Sequence, residues 1–366
     1  MATIKVLRGN TSSIANYAGS AGEVALNSDT GNVVFWTNTA NKYYTFSPPP
    51  PLIDYFYQGD IAGYYGMGSD PAATRVNIYS VSFASDTPAS DTGIDSISFP
   101  TGSNGASGTF SSTNAYMIGH SSPVWKGTIA RFPFALDTNM TDVGELAVLP
   151  GANNPAYGTA MSETQGYVYG GSEPGPSPGP NYATDRIQKF PFSSDTSATD
   201  ASELSQARYF SGGGSTIQSL SFAYAVAGGS ATLAATDTID KFPFASDAPA
   251  TDVGETSHTS EGDFTTCSST TSGYKLGGQP GYTTTTIDKF PFSSDTSATD
   301  VGELVQGGTR LGGACGSVAG YVFGGRIGPS SYTDMIQKMP YNSDTSSTDI
   351  AELHTPVYWV WSHAAQ

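Results

Sequence analysis

The stretch Ile287-Asp288-Lys289-Phe290-Pro291-Phe292-Ser293-Ser294-Asp295-Thr296-Ser297-Ala298-Thr299-Asp300-Val301-Gly302-Glu303-Leu304 recurs almost verbatim from Ile239 and Ile187, and more loosely from Ile129 and Ile336. A degraded sixth copy starts at Ile78 and runs through Phe83 to Asp91. The last aromatics of the copies, Phe83, Phe134, Phe192, Phe244, Phe292 and Tyr341, stand 48 to 58 residues apart. Repetition at this period marks an array of equivalent structural units. A second element precedes each copy: Gly63-Tyr64, Ala115-Tyr116, Gly166-Tyr167, Ala223-Tyr224, Gly273-Tyr274 and Gly320-Tyr321, in most copies running on to a Gly-Gly pair. Six and six agree.

Each unit reads as four short strands. Strand a is small and apolar, as around Ala314-Cys315-Gly316-Ser317; strand b is the Gly-Tyr run; strand c is Ile-x-Lys-Phe-Pro-Phe; strand d is Val-Gly-Glu-Leu. Strands b and c are apolar on both faces, as a sheet stacked between two neighbours requires. The proline of strand c must sit at a bulge or strand end, because it cannot donate to the ladder. The glycines closing strand b permit positive φ where the chain turns. No stretch carries helical periodicity. Four strands in about 50 residues define a β-propeller blade, so the predicted fold is all-β, a six-bladed propeller over residues 55–366. The first unit lacks a strand a, whereas Val357-Tyr358-Trp359-Val360-Trp361-Ser362-His363-Ala364-Ala365 follows the last repeat. That C-terminal strand is expected to complete blade one and remove the open edge.

Composition fits this reading. Glycine (43) and proline (23) are abundant, and 12% of the 366 residues are aromatic, enough for a core. Only 13% are charged, about half the usual share. With 15 basic against 32 acidic residues and a net charge of −17, a phosphate-tracking surface is excluded, and with it nucleic acid. Cys267 and Cys315 fall at similar places in two units and are read as small buried hydrophobes. The N-terminus has no signal-peptide apolar core and no 18-residue apolar run exists, so a soluble chain without membrane insertion is expected.

Residues 1–46 stand outside the repeat. Val24-Ala25-Leu26 and Val33-Val34-Phe35 flank Ser28-Asp29-Thr30-Gly31, a hairpin signal. So short a stretch buries little surface alone, and oligomerisation is expected to stabilise it. Arg8-Gly9 with Thr11, Gly22-Glu23-Val24, and Asp29-Thr30-Gly31 before Val33-Val34 resemble the N-terminal module of phage tail-fibre proteins of the major tropism determinant type. In that family the module is an intertwined trimer that attaches a receptor-binding domain to the tail. The resemblance implies that residues 1–46 anchor and trimerise the chain through Arg8, Gly9, Gly22, Glu23, Asp29 and Gly31. The later units resemble kelch repeats in length and in the Gly-Gly pair, though without the downstream tryptophan. They are also similar to repeats with Lys-Phe-Pro-Phe and Ser-Asp-Thr signatures in structural proteins of marine phages. Between the two parts, residues 47–54 carry Pro48-Pro49-Pro50-Pro51 and read as a stiff polyproline II spacer.

The Ser-Asp-Thr turns carry Asp86/Asp91, Asp137/Asp142, Asp195/Asp200, Asp247/Asp252, Asp295/Asp300 and Asp344/Asp349. They could form a ring of calcium sites; the reading adopted is that Asp and Thr close the turns onto local backbone N–H groups, with no metal or cofactor. Lys189, Lys241, Lys289, Lys338 and Arg131, one per blade, are expected to pair with carboxylates of their own blade rather than form a basic ring for an anionic glycan. The turns lack the glycine and tryptophan of sialidase Asp-boxes, and His120, His258, His354 and His363 show no copper-ligand spacing. No catalytic residue is marked, so an enzyme is not expected.

The repeats differ in their b–c loops, while the c–d turns on the opposite face are near-identical. Trp125, Tyr182, Tyr282 and Tyr332 stand on Pro/Gly-rich b–c loops. Such aromatics suit sugar stacking or protein contact; the competing reading packs them on the blade below. The functional expectation is a homotrimeric virion appendage, a tail fibre, held to tail or baseplate proteins by residues 1–46 and binding a host-surface glycan or protein. A virion decoration or adaptor protein is the alternative, and a glycan hydrolase a third possibility.

Overall fold

A computed structural model describes the backbone of residues 6–9, 24–27, 33–36 and 43–46, and residues 58–365 apart from 60, 67–76, 96–106, 121–125, 135–137, 149–156, 174–181, 210–215, 231–233, 280 and 359–360. The chain divides into two compact units, Met1–Asp54 and Tyr55–Gln366. In the first, Val6–Gly9 pairs in parallel with Val24–Asn27, which forms a hairpin with Val33–Trp36, itself paired with Tyr43–Phe46. The hairpin register, Val24↔Phe35 to Leu26↔Val33, matches the sequence reading; its turn, and the spacer at 47–54, lie outside the described residues.

The second unit is a six-bladed β-propeller of four-stranded antiparallel sheets. Blade one pairs Trp361–Ala365 with Ala62–Gly66, Asn77–Ser82 and Ser90–Asp95, so strand a comes from the C-terminus and the ring closes as expected. Blade two is Ser107–Phe110, Asn114–His120, Lys126–Pro133 and Thr141–Glu145; blade three is Gly158–Met161, Gln165–Tyr169, Arg186–Pro191 and Thr199–Glu203. Blade four places Arg208–Tyr209 beside Phe222–Ser230, Ala235–Pro243 and Thr251–Ser260, with an isolated Gln218↔Ala223 bridge at the other end of strand b. Blade five is Thr265–Ser268, Ser272–Leu276, Thr286–Pro291 and Thr299–Glu303. Blade six is Gly312–Cys315, Ala319–Phe323, Met335–Pro340 and Thr348–Glu352.

In blades two to six strand c ends on its proline, where a missing N–H is harmless. Strand a of blade six stops two residues earlier than read from sequence, because Gly316 N–H bonds Ala319 C=O at 2.9 Å and turns the chain into strand b.

The core lies between blades. The repeated tyrosine of each strand b meets the last aromatic of the next blade: Tyr64–Phe134 at 5.5 Å, Tyr116–Phe192 at 5.0 Å, Tyr167–Phe244 at 5.1 Å, Tyr224–Phe292 at 5.0 Å, Tyr274–Tyr341 at 5.3 Å and, across the closure, Tyr321–Phe83 at 4.4 Å. The two repeated sequence elements are therefore halves of one contact, and each such pair adds roughly 0.5–1.5 kcal/mol beyond its buried area. Burial pushes the Tyr224 and Tyr274 hydroxyls up to about 12.

The glycine pair after strand b is uneven in its demands. Its first member sits in the left-handed region, φ +62° at Gly277 and +54° at Gly324, and blade four places Ala227 there at φ +51°. Its second member, Gly278 at φ +103°, lies outside what an L side chain adopts, and a Cβ would stand 2.8 Å from Phe264 Cβ. Gly277→Ala should cost about 1 kcal/mol, and Gly278→Ala roughly 3 kcal/mol. Guanidinium denaturation midpoints would order the two, and equal losses would contradict the distinction.

Candidate functional site

The two faces of the propeller are built differently. On the c–d face five of the turns are tied to the preceding blade by an ion pair. Arg131 reaches Asp195 at 2.7 Å, Lys189 Asp247 at 2.5 Å, Lys241 Asp295 at 2.8 Å, Lys289 Asp344 at 2.6 Å and Lys338 Asp86 at 2.9 Å. This corrects the own-blade pairing expected from sequence: the strand-c cation projects to the neighbouring blade, and the ring of bridges runs across the closure. Blade one breaks it, since Ser80 stands where Lys289 stands in blade five. These half-exposed pairs each contribute less than about 1 kcal/mol.

In four turns the second aspartate does close local backbone, with Asp91, Asp142, Asp252 and Asp300 Oδ1 accepting the N–H two residues on at 2.9–3.2 Å. The turn also hydrogen-bonds the previous strand d: Ala298 N–H to Glu255 C=O at 2.8 Å, with Ser297 Oγ accepting Glu255 N–H at 3.1 Å. The acids are thus blade-to-blade fasteners. Among the described residues no group of three or more His, Cys, Asp or Glu is placed to hold a metal.

Near the axis on this same face, Gln58 Nε2 donates to Ser268 C=O at 2.9 Å, and Gly59 pairs in parallel with Gly316. The first described residues of the propeller are thereby fixed beside the a–b turns, away from the b–c loops.

The b–c face carries a mixed aromatic and charged ledge on blades five and six. Arg326 opens the small hairpin Arg326–Gly328 with Ser331–Tyr332 in the blade-six b–c loop. Its guanidinium carbon lies 5.0 Å from the centre of the Tyr282 ring, its Nε donates to Gly328 C=O at 3.0 Å, and another of its N–H groups donates to Pro329 C=O. Tyr332 stacks on Tyr358 at 4.5 Å and 12°. Arg310 stands over Tyr358 at 5.8 Å.

Behind the ledge Asp263 is buried, which raises its carboxyl above the usual range. Its Oδ2 accepts Gln279 Nε2 at 2.9 Å; its Oδ1 accepts no hydrogen bond and has Arg310 Nε at 3.6 Å. Asp263 and Arg310 occupy equivalent places, two residues before strand a of blades five and six. Both are left-handed, φ +62° and +57°, and Arg310 N–H bonds Asp263 C=O at 2.7 Å. Left-handed non-glycine residues carry strain and gather where geometry is held for a purpose.

Of the residues marked from sequence, Tyr282 and Tyr332 come together on this ledge, both half-buried. Trp125 and the Tyr182 side chain lie outside the described residues, as do Gly22, Glu23, Asp29 and Gly31; Arg8 and Gly9 fall in Val6–Gly9. Sequence reasoning missed Asp263, Gln279, Arg310, Arg326 and Tyr358. The available signal was that Arg310 and Arg326 both depart from the repeat within the sixth unit.

Of the histidines, His258 Nδ1 shares a hydrogen bond with Ser257 Oγ at 2.7 Å, and His354 stacks on Tyr79 at 5.4 Å. No carboxylate bonds His258 among the described residues. Cys267 and Cys315 are buried thiols that form no disulfide, as expected.

The fold and the asymmetry of its faces define the chain as a six-bladed β-propeller with one uniform face and one varied face. No protein-family model and no curated sequence matches it.

Proposed function

We propose that this chain is a phage virion appendage, a tail-fibre protein that displays its propeller for binding at the host surface. In this reading residues 1–46 trimerise and attach to tail or baseplate proteins, residues 47–54 act as a stiff spacer, and the b–c face meets a glycan or protein on the host. The observation that carries it is the division of labour between faces. The c–d side is uniform and committed to holding blades together, and the propeller's first described residues are pinned there. The b–c side varies from blade to blade and presents tyrosines beside arginines, groups that offer contact area at low entropy cost. Binding without catalysis is the activity assigned.

Recombinant full-length protein should adsorb to host cells and compete with infection. The combined variant W125A/Y182A/Y282A/Y332A should lose at least about 90% of adsorption, over 1.4 kcal/mol of binding, while keeping the parent melting temperature. Binding only to virions, with no adsorption to cells, would favour the decoration or adaptor role instead. Sugar released from host envelopes would point to a hydrolase.

A further inference from the structure

Resting on that assignment of the binding face, we infer that the blade-five and blade-six ledge is a site for an acidic sugar, a pyranose bearing a carboxylate within a surface polysaccharide. Three observations converge on it.

The first is an incompletely engaged cation. Arg326 has no carboxylate within 4 Å among the described residues, in contrast to Arg131, Arg186, Lys189, Arg208, Lys241, Lys275, Lys289, Arg310 and Lys338. Two of its nitrogens are committed to loop carbonyls, and Nη1 has no hydrogen-bond acceptor among the described residues. A guanidinium fixed in this way is prepared for a planar carboxylate with little further ordering.

The second is the aromatic floor. Tyr282, Tyr332 and Tyr358 are half-buried, and the apolar face of a pyranose stacks on such rings while its hydroxyls remain hydrated. The third is the support beneath. The strained, mutually bonded Asp263 and Arg310, with Gln279 on the carboxylate, hold a second guanidinium beside Tyr358.

Overall charge narrows the ligand. At a net −17 the protein repels dense polyanions. An isolated carboxylate on a stacking ring matches two local arginines better than a phosphate-rich chain does.

The test is calorimetric titration of the full-length chain with oligosaccharides carrying a single galacturonic, glucuronic or sialic acid residue among neutral sugars, each beside the same oligosaccharide with its carboxyl reduced to an alcohol. At least one acid should bind about tenfold or more tighter than its reduced form. Arg326→Gln should bring acid binding down to the level of the reduced sugar at an unchanged melting temperature, and Tyr332→Ala should weaken both. Equal affinity for acid and reduced forms, absence of binding to every acid, or wild-type binding by Arg326→Gln would each overturn the inference. Adsorption to host cells without any acidic-sugar binding overturns it and leaves the host-binding role standing. Acidic-sugar binding without adsorption supports it and removes that role.

Discussion

A chain ending at residue 360 should lose its cooperative unfolding transition. The deleted strand, Trp361–Ala365, supplies the innermost position of blade one and pairs with Ala62–Gly66 over five register positions. At roughly 1 kcal/mol net per backbone hydrogen bond the loss is about 5 kcal/mol before any burial is counted. That approaches the whole stability of an ordinary domain, about 5–15 kcal/mol. The deletion also reaches beyond blade one. Ser362 is fully buried and its Oγ accepts Gly313 N–H of blade six at 2.7 Å, so the blade-six contact is lost with it. The strand Ala62–Gly66 would become an unpaired edge, open to association with other chains. Differential scanning calorimetry of the truncated protein should show a broad transition or aggregation. Adding a peptide of residues 355–366 should restore part of the lost melting temperature by refilling the sheet. An unchanged melting temperature in the truncated chain would show that the propeller stands without its closure.

The second large effect concerns a buried charge. Lys275 and Asp288 lie inside blade five, at most 1% exposed, with Nζ 3.7 Å from Oδ2 and 3.5 Å from Gly277 C=O. Burial lowers the lysine below its ordinary value, with Asp288 opposing. Geometry this loose recovers little of the desolvation cost, yet removing one partner strands the other. Lys275→Val alone should therefore lose about 3–5 kcal/mol.

The molecule supplies the remedy elsewhere. By register the same pair of positions holds Val168 and Gln188 in blade three, and Val322 and Gln337 in blade six. There the glutamine accepts a backbone N–H from the connection between blades, Val148 at 3.2 Å or Gln306 at 3.1 Å, as Asp288 does from Ser257 at 3.3 Å. The double variant K275V/D288Q keeps that acceptor and removes both charges. It should be as stable as the parent or more so, by up to about 4 kcal/mol. Urea midpoints of the parent, the single and the double variant decide the point; a single variant as stable as the parent would mean that the charge contributes nothing.

Much of the fold was legible because the repeat displays it twice. The Gly-Tyr element and the Lys-Phe-Pro-Phe element each occur six times, and they turned out to be partners in the same inter-blade stack, Tyr274 on Tyr341 for example. Reading which blade a residue serves was harder. Lys289 has Asp295 of its own turn six positions ahead and Asp344 of the next turn 55 ahead, and units two to four offer both choices as well. Only the projection of strand c toward its neighbour separates them, and it selects Asp344. The ledge was less legible still. Tyr282 and Tyr332 stand out in the sequence as loop aromatics, but Asp263, Arg310 and Tyr358 sit in connections between blades and belong to no repeated motif.

The amino-acid sequence by itself determined the number of blades, the strand order within them and the C-terminal origin of the missing strand. Those follow from local patterning, whose period of hydrophobic and turn residues survives in one dimension. The tertiary structure alone decided that the acids of five turns fasten their blade to the one before it, and that Tyr358, lying beyond the last repeat, stacks on Tyr332. The reason is physical: a closed ring brings together residues at distances along the chain that no local pattern records, and the identity of a contact is set by which faces the closure turns toward each other.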